Sequence, residues 1–280
     1  MIKKIFSVVG LLCLGGLVAC QANAATDGNP TGSPAGSPTA MVDQRTVVGT
    51  DLDVLQAELP QVGDTLVILH TSMGDVTIRM FPDEAPMAYE NFVTHAQNGY
   101  YDGTIFHRVI QDFMVQGGDP EGTGMGGESI WGTGFGPEFS WNLRHFRGAL
   151  AMAQSAMPNS IGSQFYIVHN SSLDPGTINF LEEFREYQDL LLGQDEDGTD
   201  VYVSDLFSNA MIDAYLQFGG TPHLDLATGA LQGTGGHTVF GQVVEGMDIV
   251  DLIATTAVDS GDRPLTDIII ESTTVLTYAG

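Results

Sequence analysis

The segment that most constrains the fold of this chain lies at residues 106–119 and reads FHRVIQDFMVQGGD. Its apolar residues are dense enough for a core strand or for a strand–turn–strand unit. Arg108 interrupts the apolar run, and a guanidinium is costly to bury unless its charge is paired or hydrogen-bonded. Because Arg108 stands so close to Phe113 and Met114, the segment indicates a pocket with an apolar floor and one fixed donor. The alternative is an ordinary strand whose arginine points to solvent.

Two further segments follow this one in the chain. Residues 148–168 read GALAMAQSAMPNSIGSQFYIV, and residues 237–243 read HTVFGQV, with Glu-Gly-Met at residues 245–247. In this order, the three segments resemble the signatures of the cyclophilin family of peptidyl-prolyl cis–trans isomerases. The resemblance covers roughly residues 65–280, apart from one large insertion. It implies a mainly β fold, a closed eight-stranded antiparallel barrel capped by two helices, with a helical hairpin inserted.

Local patterns predict the bounds of several elements of this fold. Apolar and polar residues alternate over residues 65–81, which predicts two strands with a turn at residues 73–75. Apolar spacing over residues 86–98 predicts a helix with Pro86 in its first turn. For the end of the chain, the resemblance to the family implies a strand at 238–244, a helix at 247–254 and a final strand at 267–277.

The resemblance also implies the residues of an active site. The catalytic residues would be Arg108, Gln116, Phe113 and His237. The substrate-binding residues would be Met114, Ala153, Gln154, Gln164, Tyr166 and Leu173. Arg108 is identified with the catalytic arginine, and Gln116 would orient its guanidinium. Phe113, Met114, Tyr166 and Leu173 would form a proline pocket with His237 on its wall, and Ser172 falls where many eukaryotic members carry a tryptophan.

The implied reaction is rotation about an X–Pro amide, which breaks no bond. Amide resonance sets a barrier of about 18–20 kcal/mol. A guanidinium that hydrogen-bonds the proline nitrogen as it becomes pyramidal stabilises the twisted state over both planar states. We therefore expect no metal and no cofactor. The alternative from another class is a non-catalytic module that binds proline-containing peptides as a chaperone or in adhesion.

Other candidate motifs lack the context that their chemistry requires. Residues 122–127 match G-x-G-x-x-G, but no helical pattern follows them, so dinucleotide binding is not indicated. Ser163 lacks the strand–turn–helix elbow of a hydrolase nucleophile. The seven histidines show no zinc-binding spacing, and the acidic segment 195–200 lacks the glycine at position six and the closing glutamate of a calcium loop.

An insertion at about residues 175–235 departs from the family pattern. Apolar residues recur at helical spacing over residues 177–192 and 204–218, and an acidic loop joins the two stretches. These stretches predict the helical hairpin. Because the insertion leaves the family pattern after Leu173 and rejoins it at His237, we expect it at the pocket rim, where it would extend the client-binding surface. The alternative is an element that packs elsewhere and adds only stability.

The start of the chain has the features of an export signal. Residues 1–20 combine two lysines with an apolar run too short for a permanent membrane span. The run ends in LVAC, which resembles a bacterial lipobox, so we expect lipidation at Cys20. The alternative is a plain signal peptide cut at Ala22, Ala24 or Ala25. Residues 21–45 are rich in Gly, Pro, Ser and Thr and predict a flexible tether, which leaves residues 46–280 as the isomerase domain.

Composition limits the partners of the chain. It has 35 acidic and 9 basic residues, a formal net charge of −26, which opposes binding to nucleic acid. Both cysteines, Cys13 and Cys20, lie in the leader, so no disulfide framework is predicted. We expect proline-containing polypeptides as clients, contact with the bilayer through acylated Cys20, and a monomer. The predicted location is the cell membrane, lipid-anchored and facing outside the cytoplasm.

Overall fold

The structure, a computed structural model, describes residues 46–194, 198–225 and 236–280. The predicted leader at 1–20, with Cys20, and the predicted tether at 21–45 lie outside the described residues. Ten strands are present: β1 Thr65–Thr71, β2 Gly74–Met80, β3 Arg108–Ile110, β4 Met114–Gly117, β5 Ala149–Met152, β6 Phe165–Val168, β7 Leu191–Gln194, β8 Asp200–Tyr202, β9 Val239–Glu245 and β10 Ile270–Thr277. The α-helices are α1 Pro86–Gln97, α2 Pro175–Glu186, α3 Val203–Leu206, α4 Asn209–Phe218 and α5 Met247–Ala254.

Eight of the strands form one curled antiparallel sheet in the order β10-β1-β2-β9-β5-β6-β4-β3. The predicted closure of this sheet into a barrel is wrong, because the edge strands β10 and β3 do not pair with each other in the described chain. β3 has only three residues, and the segment before it meets β10 instead. Three backbone hydrogen bonds make that contact: Gly103 N to Ile270 O at 2.8 Å, Phe106 N to Ile268 O at 3.0 Å and Ile270 N to Thr104 O at 2.9 Å. The edges therefore approach each other without a continuous ladder.

The sheet separates two apolar clusters. Side chains alternate along a strand, so the residues of β6 divide between its two faces. Phe165 and Ile167 join the main core with α1 and α5, whereas Tyr166 and Val168 join a second cluster that includes Met114. In the main core, the Phe92 ring of α1 lies 5.2 Å from the ring of Phe165. The second cluster forms the floor beneath the candidate site.

The insertion differs from the predicted helical hairpin. Residues 191–192, expected at the end of the first helix, belong instead to β7, which pairs with β8 in a separate two-stranded sheet. α2 ends earlier, at Glu186. There the side chain of Gln188 donates to the carbonyl oxygens of Phe184 and Phe207, both at 2.9 Å, and so satisfies a helix-end acceptor. The predicted acidic loop links β7 to β8, and its residues 195–197 lie outside the described chain.

Arg144 fixes the insertion to the main sheet. Its side chain is fully buried, and its guanidinium donates to Leu206 O at 2.6 Å and 3.0 Å and to Asp205 O at 3.2 Å, both in α3. It also donates to Ser140 O and Leu143 O, at 3.0 Å and 2.7 Å. The buried guanidinium of Arg144 therefore connects α3 of the insertion to the segment that precedes β5. Among the described helices, none combines the length and apolarity that crossing a bilayer requires.

Candidate active site

A pocket of about 420 Å³ opens above the second apolar cluster. Eight of the ten residues predicted for the site line it: Arg108, Phe113, Met114, Gln116, Ala153, Gln154, Tyr166 and His237. They come from β3, β4, β6 and the segments that follow β5 and precede β9. Residues far apart in the chain are thus brought together because the order of the strands makes β3, β4, β6 and β5 consecutive neighbours.

Arg108 stands at the mouth of the pocket, at the start of β3. Its side chain is 43% exposed, and its Nε lies 3.6 Å from Oδ2 of Asp262. The loop that carries Asp262 is bound to β3, since Val109 N donates to the carbonyl oxygen of Asp262 at 2.8 Å. An ion pair as exposed as this one adds little stability. It nevertheless restricts the orientation of a guanidinium that stays accessible to a peptide.

Gln116 lies directly opposite Arg108 in the pairing of β3 with β4. Its amide donates to Oε1 of Gln164 at 2.9 Å, and Gln164 donates in turn to Gly126 O at 2.8 Å. Within the described residues, Asp262 is the ionic partner of Arg108, and Gln116 is bonded to Gln164 instead. The role of Gln116 in orienting the guanidinium stays a prediction.

The apolar wall combines buried strand residues with a turn. Met114 and Tyr166 are 2% and 5% exposed and belong to the second cluster. Phe113 follows a turn in which Asp112 has a φ of 58°, a left-handed conformation that Asp tolerates better than most residues. The backbone N–H of Asp112 donates to Nδ1 of His169 at 3.0 Å. That contact fixes the turn that carries Phe113.

Leu224, and not Leu173, is among the residues that line the pocket, and the substrate-binding role of Leu173 stays a prediction. Leu173 lies just before α2, where the insertion begins, and is not among the lining residues. His223 stacks against Phe113, with ring centroids 6.1 Å apart and planes at 25°. The pair His223-Leu224 thus occupies the position that the sequence assigned to Ser172-Leu173. Leu224 precedes an aspartate, as Leu173 does, so the Leu-Asp dipeptide occurs at residues 173–174 and again at 224–225.

The glycine-rich loop also contributes to the pocket, which the sequence did not predict. Thr123 and Gly124 line it. Gly124 has a φ of 79°, and a Cβ there would lie 3.3 Å from the ring of His107. The loop is held by the carboxylate of Asp119, which accepts from backbone N–H groups of residues 121, 123, 124 and 126. Burial alone would raise the pKa of Asp119, but these donors hold it below its usual value.

The histidines of the pocket are kept neutral by burial. Burial, with a smaller contribution from the nearby His145, lowers the pKa of His237 to about 4. Burial also lowers the pKa of His107, which lines the pocket next to Arg108. Arg108 is therefore the principal positive charge at the pocket near neutral pH. Within the described chain, no group of three or more His, Cys, Asp or Glu residues could hold a metal ion.

A second pocket of about 440 Å³ adjoins the first. The two share Gln116, Gly124, Ala153 and Gln154. Gln164, predicted to contact the peptide, lines the second pocket, together with Met125 and Met157, which are 90% and 73% exposed. An extended peptide with a proline in the first pocket can therefore place a neighbouring residue in the second.

Known proteins of similar sequence and structure were compared with the chain. The family model of the cyclophilin type peptidyl-prolyl cis-trans isomerases matches residues 66–275. A Staphylococcus aureus (strain USA300) protein with a provisional name as a peptidyl-prolyl cis-trans isomerase is 46% identical over 212 residues, which are 76% of this chain and 92% of that protein. A Staphylococcus epidermidis protein with the same provisional name is 45% identical over equal shares.

The solved structures point to the same family. A cyclophilin type peptidyl-prolyl cis-trans isomerase of Cryptosporidium parvum has a TM-score of 0.53 and 27% identity, over 77% of this chain and 99% of that one. A second crystal structure of that protein, in the presence of the dipeptide Ala-Pro, gives a TM-score of 0.52 over 76% and 99%. The chain belongs to the cyclophilin-type peptidyl-prolyl cis–trans isomerase family, and its activity is isomerisation about X–Pro peptide bonds.

Proposed function

We propose that this isomerase is a lipid-anchored protein that accelerates X–Pro rotation in exported polypeptides outside the cytoplasmic membrane, with Arg108 as its catalytic residue. The observation that carries the catalytic part is the position of Arg108. Its guanidinium is half-exposed at the mouth of a pocket whose wall includes Met114 and Tyr166. Slow X–Pro isomerisation limits the folding of many chains, so an exported isomerase would assist the folding of exported proteins.

The geometry supports a mechanism by stabilisation of the twisted amide. The apolar wall would hold the proline ring while the acyl side of the peptide bond turns. Arg108 would donate to the proline nitrogen, which becomes a better acceptor as conjugation is lost. His237 is neutral near pH 7 and adds no competing charge to the wall. The stabilisation thus develops in the transition state, which is the requirement for a faster reaction.

Arg108→Ala tests the catalytic assignment. We expect kcat/KM on a short X–Pro peptide to fall about 100-fold or more, the usual effect of removing one donor to a developing charge. Arg185→Ala is the matched control, since Arg185 is a partly exposed residue of α2 paired with Glu182 and Asp213, away from the pocket lining. Far-ultraviolet circular dichroism would show that both variants fold. A wild-type protein that binds X–Pro peptides without accelerating their isomerisation would support the non-catalytic binding module instead.

The proposal of a lipid anchor is supported by the sequence at residues 1–45. The basic start, the short apolar run and LVAC precede a tether without apolar periodicity, an order that suits export and anchoring. Metabolic labelling with a radioactive fatty acid tests it: we expect label on wild type and on Cys13→Ala, and none on Cys20→Ala. Release of Cys20→Ala from the membrane fraction should accompany the loss of label. Equal labelling of both variants would exclude Cys20 as the acylated residue.

A further inference from the structure

A line of buried hydrogen bonds joins the insertion to the floor of the proline pocket. The Tyr215 hydroxyl of α4 donates to Oδ2 of Asp225. Oδ1 of Asp225 accepts from the backbone N–H of His145 at 3.1 Å and lies 2.6 Å from Nδ1 of its ring. Nε2 of the same ring lies 3.0 Å from the hydroxyl oxygen of Tyr166. Tyr215, Asp225, His145 and Tyr166 are called the buried network below.

The burial of this network makes its hydrogen bonds hard to replace by water. The four residues are 0%, 2%, 1% and 5% exposed. A buried carboxylate must be satisfied by donors, and Asp225 has three of them, from Tyr215 and from the backbone and ring of His145. The backbone supports the same contact, since Thr221 N donates to His145 O at 2.8 Å. Asp225 is therefore a fixed connection between the insertion and the strand region before β5.

The network also sets the direction of the hydrogen bond at the pocket floor. A carboxylate only accepts, so Nδ1 of His145 carries the proton that it donates to Asp225. When Nδ1 carries the only ring proton, Nε2 is an acceptor and the Tyr166 hydroxyl donates to it. In that arrangement the hydroxyl hydrogen of Tyr166 points away from the cavity and toward His145. The pocket receives the ring of Tyr166 without a free polar hydrogen.

We propose that His145 and Asp225 are positioning residues for the proline pocket, through which the insertion holds the Tyr166 hydroxyl away from the substrate. Asp225 also follows Leu224, a lining residue, so one carboxylate fixes both the floor and a part of the wall. Neither His145 nor Asp225 lines the pocket. Their effect on the substrate passes through Tyr166 and Leu224. The inference rests on the isomerase activity and does not depend on Arg108 or on the lipid anchor.

Asp225→Asn tests this inference by weakening the contact between Asp225 and His145 with little change of shape. The amide NH2 of the asparagine must face either the Tyr215 hydroxyl or the backbone N–H and Nδ1 of His145, so at least one hydrogen bond of the buried network is lost or reversed. Since an apolar wall binds the proline ring in the ground state and the transition state alike, we expect KM to rise roughly tenfold while kcat changes by less than about twofold. Nitrogen-15 NMR of the imidazole should show protonation at Nδ1 in wild type and a larger share at Nε2 in the variant, because an amide oxygen is a weaker acceptor than a carboxylate.

A double-mutant cycle with Tyr166→Phe separates positioning from general destabilisation. Tyr166→Phe removes the hydroxyl that the buried network positions. The KM of the double variant should therefore differ by less than about threefold from the KM of Tyr166→Phe alone. Asp213→Asn is the matched control, an exposed acidic residue of α4 paired with Arg185. It should leave KM and the His145 tautomer unchanged.

The dissociation constant of an Ala-Pro tetrapeptide, followed by NMR titration, gives a readout that does not require turnover. An inactive wild type would contradict the isomerase assignment, whereas the inference fails if Asp225→Asn binds the tetrapeptide as wild type does. It also fails if Asp225→Asn loses affinity equally in both Tyr166 backgrounds. If Asp225→Asn does not fold, Tyr215→Phe takes its place, because it removes one donor to Asp225 far from the pocket. A loss of roughly threefold, abolished by Tyr166→Phe, is then expected.

Discussion

At the scale of single residues, the site depends on keeping its histidines uncharged beside one arginine. His237 lines the pocket, and burial lowers the pKa of its imidazole to about 4 from a usual 6.5. A charged imidazole there would lie against the proline ring and compete with the guanidinium of Arg108. The same burial makes His237 a source of acid sensitivity, because the unfolded chain binds a proton that the folded chain excludes.

The sign of this effect follows from proton binding. Between pH 6.5 and about 4 the unfolded state holds more protons at His237 than the folded state, so acidification destabilises the fold and the stability is fully present above pH 6.5. We expect wild type to lose about 2 kcal/mol more free energy of unfolding than His237→Gln between pH 7 and pH 4.5. Urea denaturation at both pH values measures the difference. Parallel losses in the two proteins would mean that His237 does not titrate in this range.

At the scale of elements, the insertion is joined to the sheet by two buried groups of different kinds. Arg144 donates to the carbonyl oxygen of Leu206 at the end of α3. Asp225, near the other end of the insertion, is hydrogen-bonded to His145, which lies shortly before β5. The insertion therefore supplies part of the pocket, with Leu224 on its wall and His223 stacked on Phe113. This arrangement favours the prediction of an element at the pocket rim over one that packs away from it.

The contribution of Arg144 to stability is large because its partners are buried acceptors. In Arg144→Met, the carbonyl oxygens of Leu206, Asp205, Ser140 and Leu143 lose this donor. We expect a loss of about 3 kcal/mol in the free energy of unfolding, together with faster proteolysis within residues 175–225. Arg185→Met should cost less than about 1 kcal/mol, since its ion pairs are exposed. Equal losses in the two variants would contradict the anchoring role of Arg144.

Much of the architecture could be predicted, partly from local patterns and partly from the resemblance to the cyclophilin family. The helix predicted at 247–254 is confirmed to the residue, and the strands and helix predicted within residues 65–98 are confirmed within a few residues. Features that depend on contacts between distant residues could not be predicted in this way. Closure of the sheet depends on whether β3 pairs with β10, and the identity of the leucine in the pocket wall depends on where the insertion packs. His145 and Asp225 are 80 residues apart, and no spacing in the sequence indicates their contact.

At the scale of the whole molecule, the dominant property is negative charge. The 35 acidic residues against 9 basic ones create a field that acts on any charged client before it reaches the pocket. Arg108 is a local exception at the mouth of the pocket, and Asp262 is paired with it. The net charge of the molecule is therefore negative, whereas the side chain of Arg108 at the mouth of the pocket is positive. Clients with basic residues should approach faster than clients with acidic ones, whatever occupies the pocket itself.

This steering can be measured with two peptides that share one Ala-Ala-Pro-Phe segment and differ only in two lysines or two glutamates placed several residues before the proline. At about 10 mM ionic strength, where screening acts over about 30 Å, we expect kcat/KM to favour the lysine peptide roughly tenfold. At 0.5 M salt, the ratio should approach one, because the field is screened within a few ångströms. A ratio near one at low salt would mean that the charge does not steer clients. A ratio that salt leaves unchanged would instead indicate direct contacts with the charged side chains.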